Sequence, residues 1–158
     1  MQILVVYDSK TGNTEKMALA VAEGVTDSGG DVVVKKANET TNEDLLQADG
    51  IIVGSPTYYG QMSGAVKSMF DESIEIHGKL DGKIGAAFTS SGGATASGAE
   101  TTILSILEAM LIHGMIIKGT AHTGHYGAAA VEKPKARDTK RCRELGKAVV
   151  DLVLKLRK

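Results

Sequence analysis

The chain has 158 residues, and 18 Lys+Arg against 19 Asp+Glu leave a net charge of −1. At roughly 100–200 residues per domain this is one domain, expected to span 1–158, and the charge balance excludes both a strongly basic nucleic-acid binder and a strongly acidic tail protein. With four Tyr, two Phe, no Trp and a single cysteine, Cys142, the core must be aliphatic, and neither a disulfide framework nor a cysteine-clustered metal site is available.

The chain opens on a short apolar run, 3–7, as expected of a strand buried on both faces. It is too short to cross a membrane and has no basic leader. No later stretch approaches ~18 apolar residues, so the expectation is a cytoplasmic protein that does not engage the membrane. From 14 to 25 the period changes. Ala18, Val21, Ala22 and Val25 mark a helix face that Ser28-Gly29-Gly30 stops. Val32-Val33-Val34 is a second strand. Thr41-Asn42-Glu43-Asp44 caps a short helix around Leu45 and Leu46. Ile51-Ile52-Val53 is a third strand, ended by Gly54-Ser55-Pro56. A helix over 62–76 follows, with Ala65, Met69 and Phe70 inward, then a fourth strand over 83–89. Ser97 and Glu100 match a capping box for a helix with Ile103, Leu104, Leu107, Met110 and Leu111 on one face. Met115-Ile116-Ile117 opens the fifth strand. The last helix covers about 136–156, with Leu145, Val149, Leu152, Val153 and Leu156 inward. Strands alternating with helices predict an α/β fold, a doubly wound five-stranded parallel sheet of order 2-1-3-4-5 with helices on both faces.

In such a sheet, ligands bind past the carboxyl ends of the strands where strand order reverses, which is between the first and third strands. Three loops reach that point. The first, Ser9-Lys10-Thr11-Gly12-Asn13-Thr14, offers hydroxyls, an amide, a glycine and the N–H groups of a helix start, which together make a phosphate cradle. Its bland reading is a polar cap that merely starts a helix. The chain has no Walker loop and no G-x-G-x-x-G fingerprint. The second loop, Pro56-Thr57-Tyr58-Tyr59-Gly60, puts two aromatics at the switch point. The third holds Thr89, Ser90, Ser91, Gly92 and Gly93. These small residues bring backbone close to a flat ring but cannot stack on it.

The first loop resembles the FMN-phosphate signature of the flavodoxins, S/T-x-T-G-x-T. Gly54-Ser55-Pro56-Thr57-Tyr58-Tyr59-Gly60-Gln61-Met62 is similar to the G-T-P-T-x-x-G-N-M loop of the WrbA-type NAD(P)H:quinone oxidoreductases. Phe88-Thr89-Ser90-Ser91, Glu100-Thr101-Thr102 and His113-Gly114-Met115-Ile116-Ile117 resemble the same family's F-T-S, E-T-T and H-G-M-I-I, and Tyr126-Gly127-Ala128 its P-Y-G-A, with His125 in place of the proline. The chain is shorter than WrbA-type proteins. The resemblance implies a flavodoxin-like fold with FMN as cofactor, NAD(P)H as electron donor and a quinone as acceptor. Ser9, Lys10, Thr11, Gly12, Asn13 and Thr14 would hold the phosphate. Pro56, Thr57, Tyr58, Tyr59 and Gly60 would hold the ring, and Thr89, Ser90, Ser91, Gly92 and Gly93 its dimethylbenzene or ribityl side. Tyr126 would lie near the otherwise open face and His113 at the substrate side as the catalytic residue. The other reading is a flavodoxin electron carrier that serves protein redox partners. A homo-oligomer stays open, as does a neighbouring subunit that completes the site.

Position alone reads His113 as a helix C-terminal histidine favoured by the dipole. His122, Thr123 and His125 are in a loop, where histidines are more often surface residues than metal ligands; no metal site is expected. Cys142, between Arg141 and Arg143, reads as an inert or surface thiol with basic neighbours. The run from Lys133 to Arg143 reads as a solvated helix start.

Overall fold

A computed structural model describes residues 1–93, 97–121 and 124–157. Its elements in chain order are β1 (Gln2–Tyr7), α1 (Asn13–Asp27), β2 (Asp31–Lys36), α2 (Asn42–Gln47), β3 (Gly50–Pro56), α3 (Gly64–Glu72), β4 (Ile84–Ser91), α4 (Ala99–Ile112), β5 (Ile116–Ile117), β6 (Ala128–Val131) and α5 (Ala136–Leu156). The strands form one parallel sheet in the order β2-β1-β3-β4-β5, as the alternation of elements predicts.

The fifth strand is broken. β5 pairs with the start of β4, through Ile84↔Ile116 and Gly85↔Ile117. β6 then pairs with the end of β4, from Phe88↔Ala128 to Ser91↔Val131. Between them the chain leaves the sheet edge. Thr120 N–H donates to the His125 carbonyl at 3.1 Å and Gly127 N–H to the Gly124 carbonyl at 2.9 Å. A strand that bulges out at its middle can still pair at both ends.

Strand residues alternate between two cores, because successive side chains point to opposite faces. Ile3, Val5, Tyr7, Ile52 and Phe88 pack under α1 and α5 with Met17, Val21, Leu145 and Val149. Leu4, Val6, Ile51, Val53 and Ala87 pack under α3 and α4 with Val66, Met69, Ile106 and Met110. α1 and α5 cross closely because Gly24 faces the Arg143 backbone and Gly146 the Val21 carbonyl, leaving no room for a Cβ at either position.

Several expected inward residues differ. Leu111 and Leu156 are exposed, and Leu104, Leu152, Ala65 and Phe70 are only half-buried. On α3, Val66 is the buried residue beside Met69. The helix expected over 62–76 ends at Glu72 and continues as a 3-10 turn, Ser73–Ile76. Thr41 and Asp44 form the expected capping box at α2. Cys142 is fully buried, and burial pushes its thiol up to about 12, so it is inert rather than activated. No helix among the described residues is long and apolar enough to cross a membrane.

Candidate functional site

β1 delivers the first loop to the carboxyl end of the sheet. The Asp8 N–H donates to the Gly54 carbonyl at 3.1 Å, which ties this loop to the end of β3. Gly12 then turns the chain into α1 at φ +87°, a left-handed conformation that glycine adopts without strain. The Gly12 N–H donates to the Ser9 hydroxyl at 3.1 Å. The N-cap residue, Gly12, has no side chain to cap α1. Among the described residues the N–H groups of Asn13, Thr14 and Glu15 have no side-chain acceptor, and they stand at the positive end of the helix. Lys10 and Thr11 are exposed, while Thr14 is buried with its hydroxyl 2.8 Å from that of Ser90. The acidic residue of this first turn, Glu15, accepts a hydrogen bond from the Tyr7 hydroxyl at 2.8 Å. Burial and the Glu15 carboxylate push the Tyr7 hydroxyl up to about 12, so it stays a donor.

The second loop is a tight hairpin. Tyr58 and Gln61 exchange both backbone hydrogen bonds, at 3.1 and 3.0 Å. Tyr59 (φ +50°) and Gly60 (φ +74°) fill the turn, the positive-φ pair of a type I′ hairpin. Tyr59 projects fully into solvent and Tyr58 is partly exposed, with the Lys10 ammonium 5.5 Å from its ring centre. The hairpin is braced from below. The Thr57 N–H donates to the Ser90 carbonyl at 2.8 Å. The Thr89 hydroxyl donates to the Ser55 carbonyl at 2.7 Å, so the 3.0 Å contact between Thr57 and Thr89 has Thr57 as donor. The Met62 N–H donates to the Ser105 hydroxyl at 3.1 Å. Gly98, at the start of α4, packs against the backbone of Gly60.

The third loop differs from expectation. Thr89, Ser90 and Ser91 complete β4, and all three are buried. Their hydroxyls are bonded to Ser55 and Thr57, to Thr14, and to Ser97. These bonds brace the site. Gly92 and Gly93 are exposed at its rim, and 94–96 lie outside the described residues. Ser97 donates to the Ser91 hydroxyl at 2.8 Å instead of capping α4, whose cap is Gly98 at φ +89°.

Tyr126 is exposed in the connection just ahead of β6, next to Gly127, which lies beside the Ala87 carbonyl. His113 caps the far end of α4. Fourteen residues at ~1.5 Å each carry it about 21 Å from the site, to the opposite edge of the sheet. There it is buried, with Nε2 2.7 Å from the Ser73 hydroxyl. Ser73 donates to the Phe70 carbonyl at 2.7 Å, so it accepts from Nε2–H and leaves Nδ1 a bare acceptor with no partner among the described residues. Burial, then the nearby His77 ring, lower the His113 pKa below its usual value. Within one chain, His113 is not part of the site. His122 and Thr123 lie outside the described residues. A separate cavity of about 350 Å³, lined by Lys118, Arg141 and Leu145 on the α5 face, contains none of the residues of the three loops.

What the structure brings together, then, is the open end of α1, the 57–61 hairpin and the Gly92-Gly93 backbone. Sequence reasoning missed the bracing residues Ser105 and Gly98; the only signal was the unusual density of Ser, Thr and Gly around them.

Residues 4–114 match the family model described as a flavodoxin domain. A flavodoxin of Aquifex aeolicus is 42% identical, covering 96% of this chain and 86% of that one. An NAD(P)H dehydrogenase (quinone) of Archaeoglobus fulgidus is 35% identical, covering 98% of both chains. Among solved structures, a flavodoxin, WrbA-like protein from Agrobacterium tumefaciens superposes with a TM-score of 0.83 at 25% identity, covering 98% of each chain. With more than two-thirds of its length matched by the family model, the same sheet order and two such relatives, the chain belongs to the flavodoxin family.

Proposed function

We propose that this single domain binds FMN noncovalently and passes electrons from NAD(P)H to a quinone. The observation that carries the flavin half is the uncapped start of α1: the N–H groups of its first turn, Gly12 and the Ser9, Thr11, Asn13 and Thr14 side chains form an anion cradle for the phosphate. The residues present fit the cofactor. Tyr58 offers a partly exposed ring beside the cradle, and the backbone of 57–60 and 92–93 offers fixed polar groups for the ring edge. When bound, the flavin supplies the two-electron chemistry between NAD(P)H and quinone. The protein's part is to bind and orient it. The hydroxyls of Thr89, Thr57 and Ser105 keep the hairpin rigid, and the Lys10 ammonium adds positive charge near the phosphate loop.

The enzymatic half rests on what the mouth lacks. Residues 55–62, 89–99 and 121–131 contain no Asp or Glu. A carrier steered to basic partners would present carboxylates there. The third loop brings no aromatic to stack on the ring, which leaves one face for a flat substrate. The second reading, an electron carrier with a protein partner, is favoured by the 42% identical relative named a flavodoxin. Adding NADH or NADPH to FMN-loaded protein without oxygen separates the two. The enzyme reading expects rapid loss of the visible flavin absorbance and its return on adding a quinone. Absorbance unchanged by either nucleotide leaves the carrier reading standing.

A further inference from the structure

The hydroxyls of Thr14 and Ser90 lie 2.8 Å apart across 76 residues of sequence, and both side chains are buried. Neither hydroxyl has a second hydrogen-bond partner among the described residues. Each carries one proton, and the bond they share uses one, so one proton is left over. Its position matters. Ser90 is in the interior of the sheet, paired between β3 and β6, with no acceptor beyond Thr14 among the described residues. Thr14 is the second residue of α1, in the same turn as the open N–H groups. An acceptor at the helix start therefore selects one arrangement: Ser90 donates to Thr14, and Thr14 donates outward. Hydrogen bonds in series strengthen one another, most of all when the last acceptor is charged.

We propose that Ser90 is a positioning residue that fixes the Thr14 hydroxyl proton toward the anion cradle and thereby sets a preference for flavins ending in a phosphomonoester over flavins ending in a free hydroxyl. The inference rests on the flavin reading above. Ser90 itself touches no ligand; it acts through Thr14 alone, and the Ser90 carbonyl bond to Thr57 is backbone and survives side-chain substitution.

The test is a titration of the flavin-free protein with FMN and, separately, with riboflavin, in the wild type, Ser90→Ala, Thr14→Val and the double variant. Ser90→Ala is expected to weaken FMN binding about three- to tenfold and to leave riboflavin binding within about twofold. In the Thr14→Val background, Ser90→Ala should weaken FMN no further, because the residue it acts through is gone. Equal losses for the two flavins, or additive losses in the double variant, overturn the proposal. If Ser90→Ala does not fold, Ser90→Thr keeps the hydroxyl and must retain the wild-type ratio of FMN to riboflavin affinity; a collapsed ratio counts against it. A wild type that binds neither flavin sinks the flavin reading and this inference with it. A wild type that binds FMN tightly, with a ratio that Ser90→Ala does not change, sinks the inference alone.

Discussion

The fate of individual hydroxyls decides what the site can do. Ser9, Thr57, Thr89 and Ser105 are already engaged with neighbouring groups, so they set geometry rather than meet a ligand along their bonded directions. The groups left open at the helix start include the first-turn N–H groups of α1, the Ser9 hydroxyl proton and one proton of the Thr14–Ser90 pair. His113 shows the opposite fate. It is buried and bonded to Ser73, and burial disfavours its charged form. Its folded pKa lies below the unfolded value of about 6.5, so the unfolded chain takes up a proton that the folded chain refuses as pH falls below about 6.5. This costs stability with a slope of at most ~1.4 kcal/mol per pH unit, until the folded pKa is reached. Urea midpoints at pH 7.5 and 5.5 check it: the wild type should lose stability between them, and His113→Asn should lose less. Equal losses would show that other groups carry the dependence. The H-G-M-I-I resemblance placed His113 beside the flavin because a motif reports neighbours in sequence, not which edge of the sheet they reach. The phosphate loop was legible for the converse reason. The proposed cradle uses local backbone, a strand end, a glycine and a helix start, all contiguous in the chain.

Elements hold the cradle and the hairpin at a fixed spacing. α4 does so through its first residue pair. Gly98 starts the helix at φ +89°, and a Cβ there would stand 2.8 Å from Gly60 Cα and 3.4 Å from Thr57 Cγ2. Gly98→Ala should therefore cost about 1–3 kcal/mol of stability, from backbone strain and the displaced hairpin. It should also weaken FMN and riboflavin alike, since the hairpin faces the ring and not the phosphate. Thermal unfolding and the two titrations check this; a variant that loses only FMN affinity would place the hairpin outside the ring site. Strands β1, β3 and β4 and helix α5 were legible because long apolar runs and a sustained helical period leave few alternatives. The start of α4 was not. Ser-x-x-Glu at Ser97 and Glu100 is a sound capping signal, but Ser91 captured the Ser97 hydroxyl from a strand six residues earlier. The divided fifth strand was hidden too, because three glycines in 118–127 read as loop and the four-residue β6 is too short to announce itself.

At the scale of the whole molecule, the parallel order β2-β1-β3-β4-β5 puts the crevice between β1 and β3 at the carboxyl edge, and every bonded element of the site converges there. The balanced charge and the absence of Asp and Glu from 55–62, 89–99 and 121–131 argue against strong long-range steering to basic partners. The family relatives carry both names, flavodoxin and NAD(P)H dehydrogenase (quinone), on one architecture, as expected where fold leaves function to the site. The central claim is that this crevice is an FMN site built on the open start of α1. Titrating the flavin-free protein with FMN, and following the quenching of flavin fluorescence, tests it most directly. Saturable uptake of one FMN per chain is expected, weakened by inorganic phosphate competing for the cradle. Protein that stays colourless and leaves FMN fluorescence unchanged would contradict it.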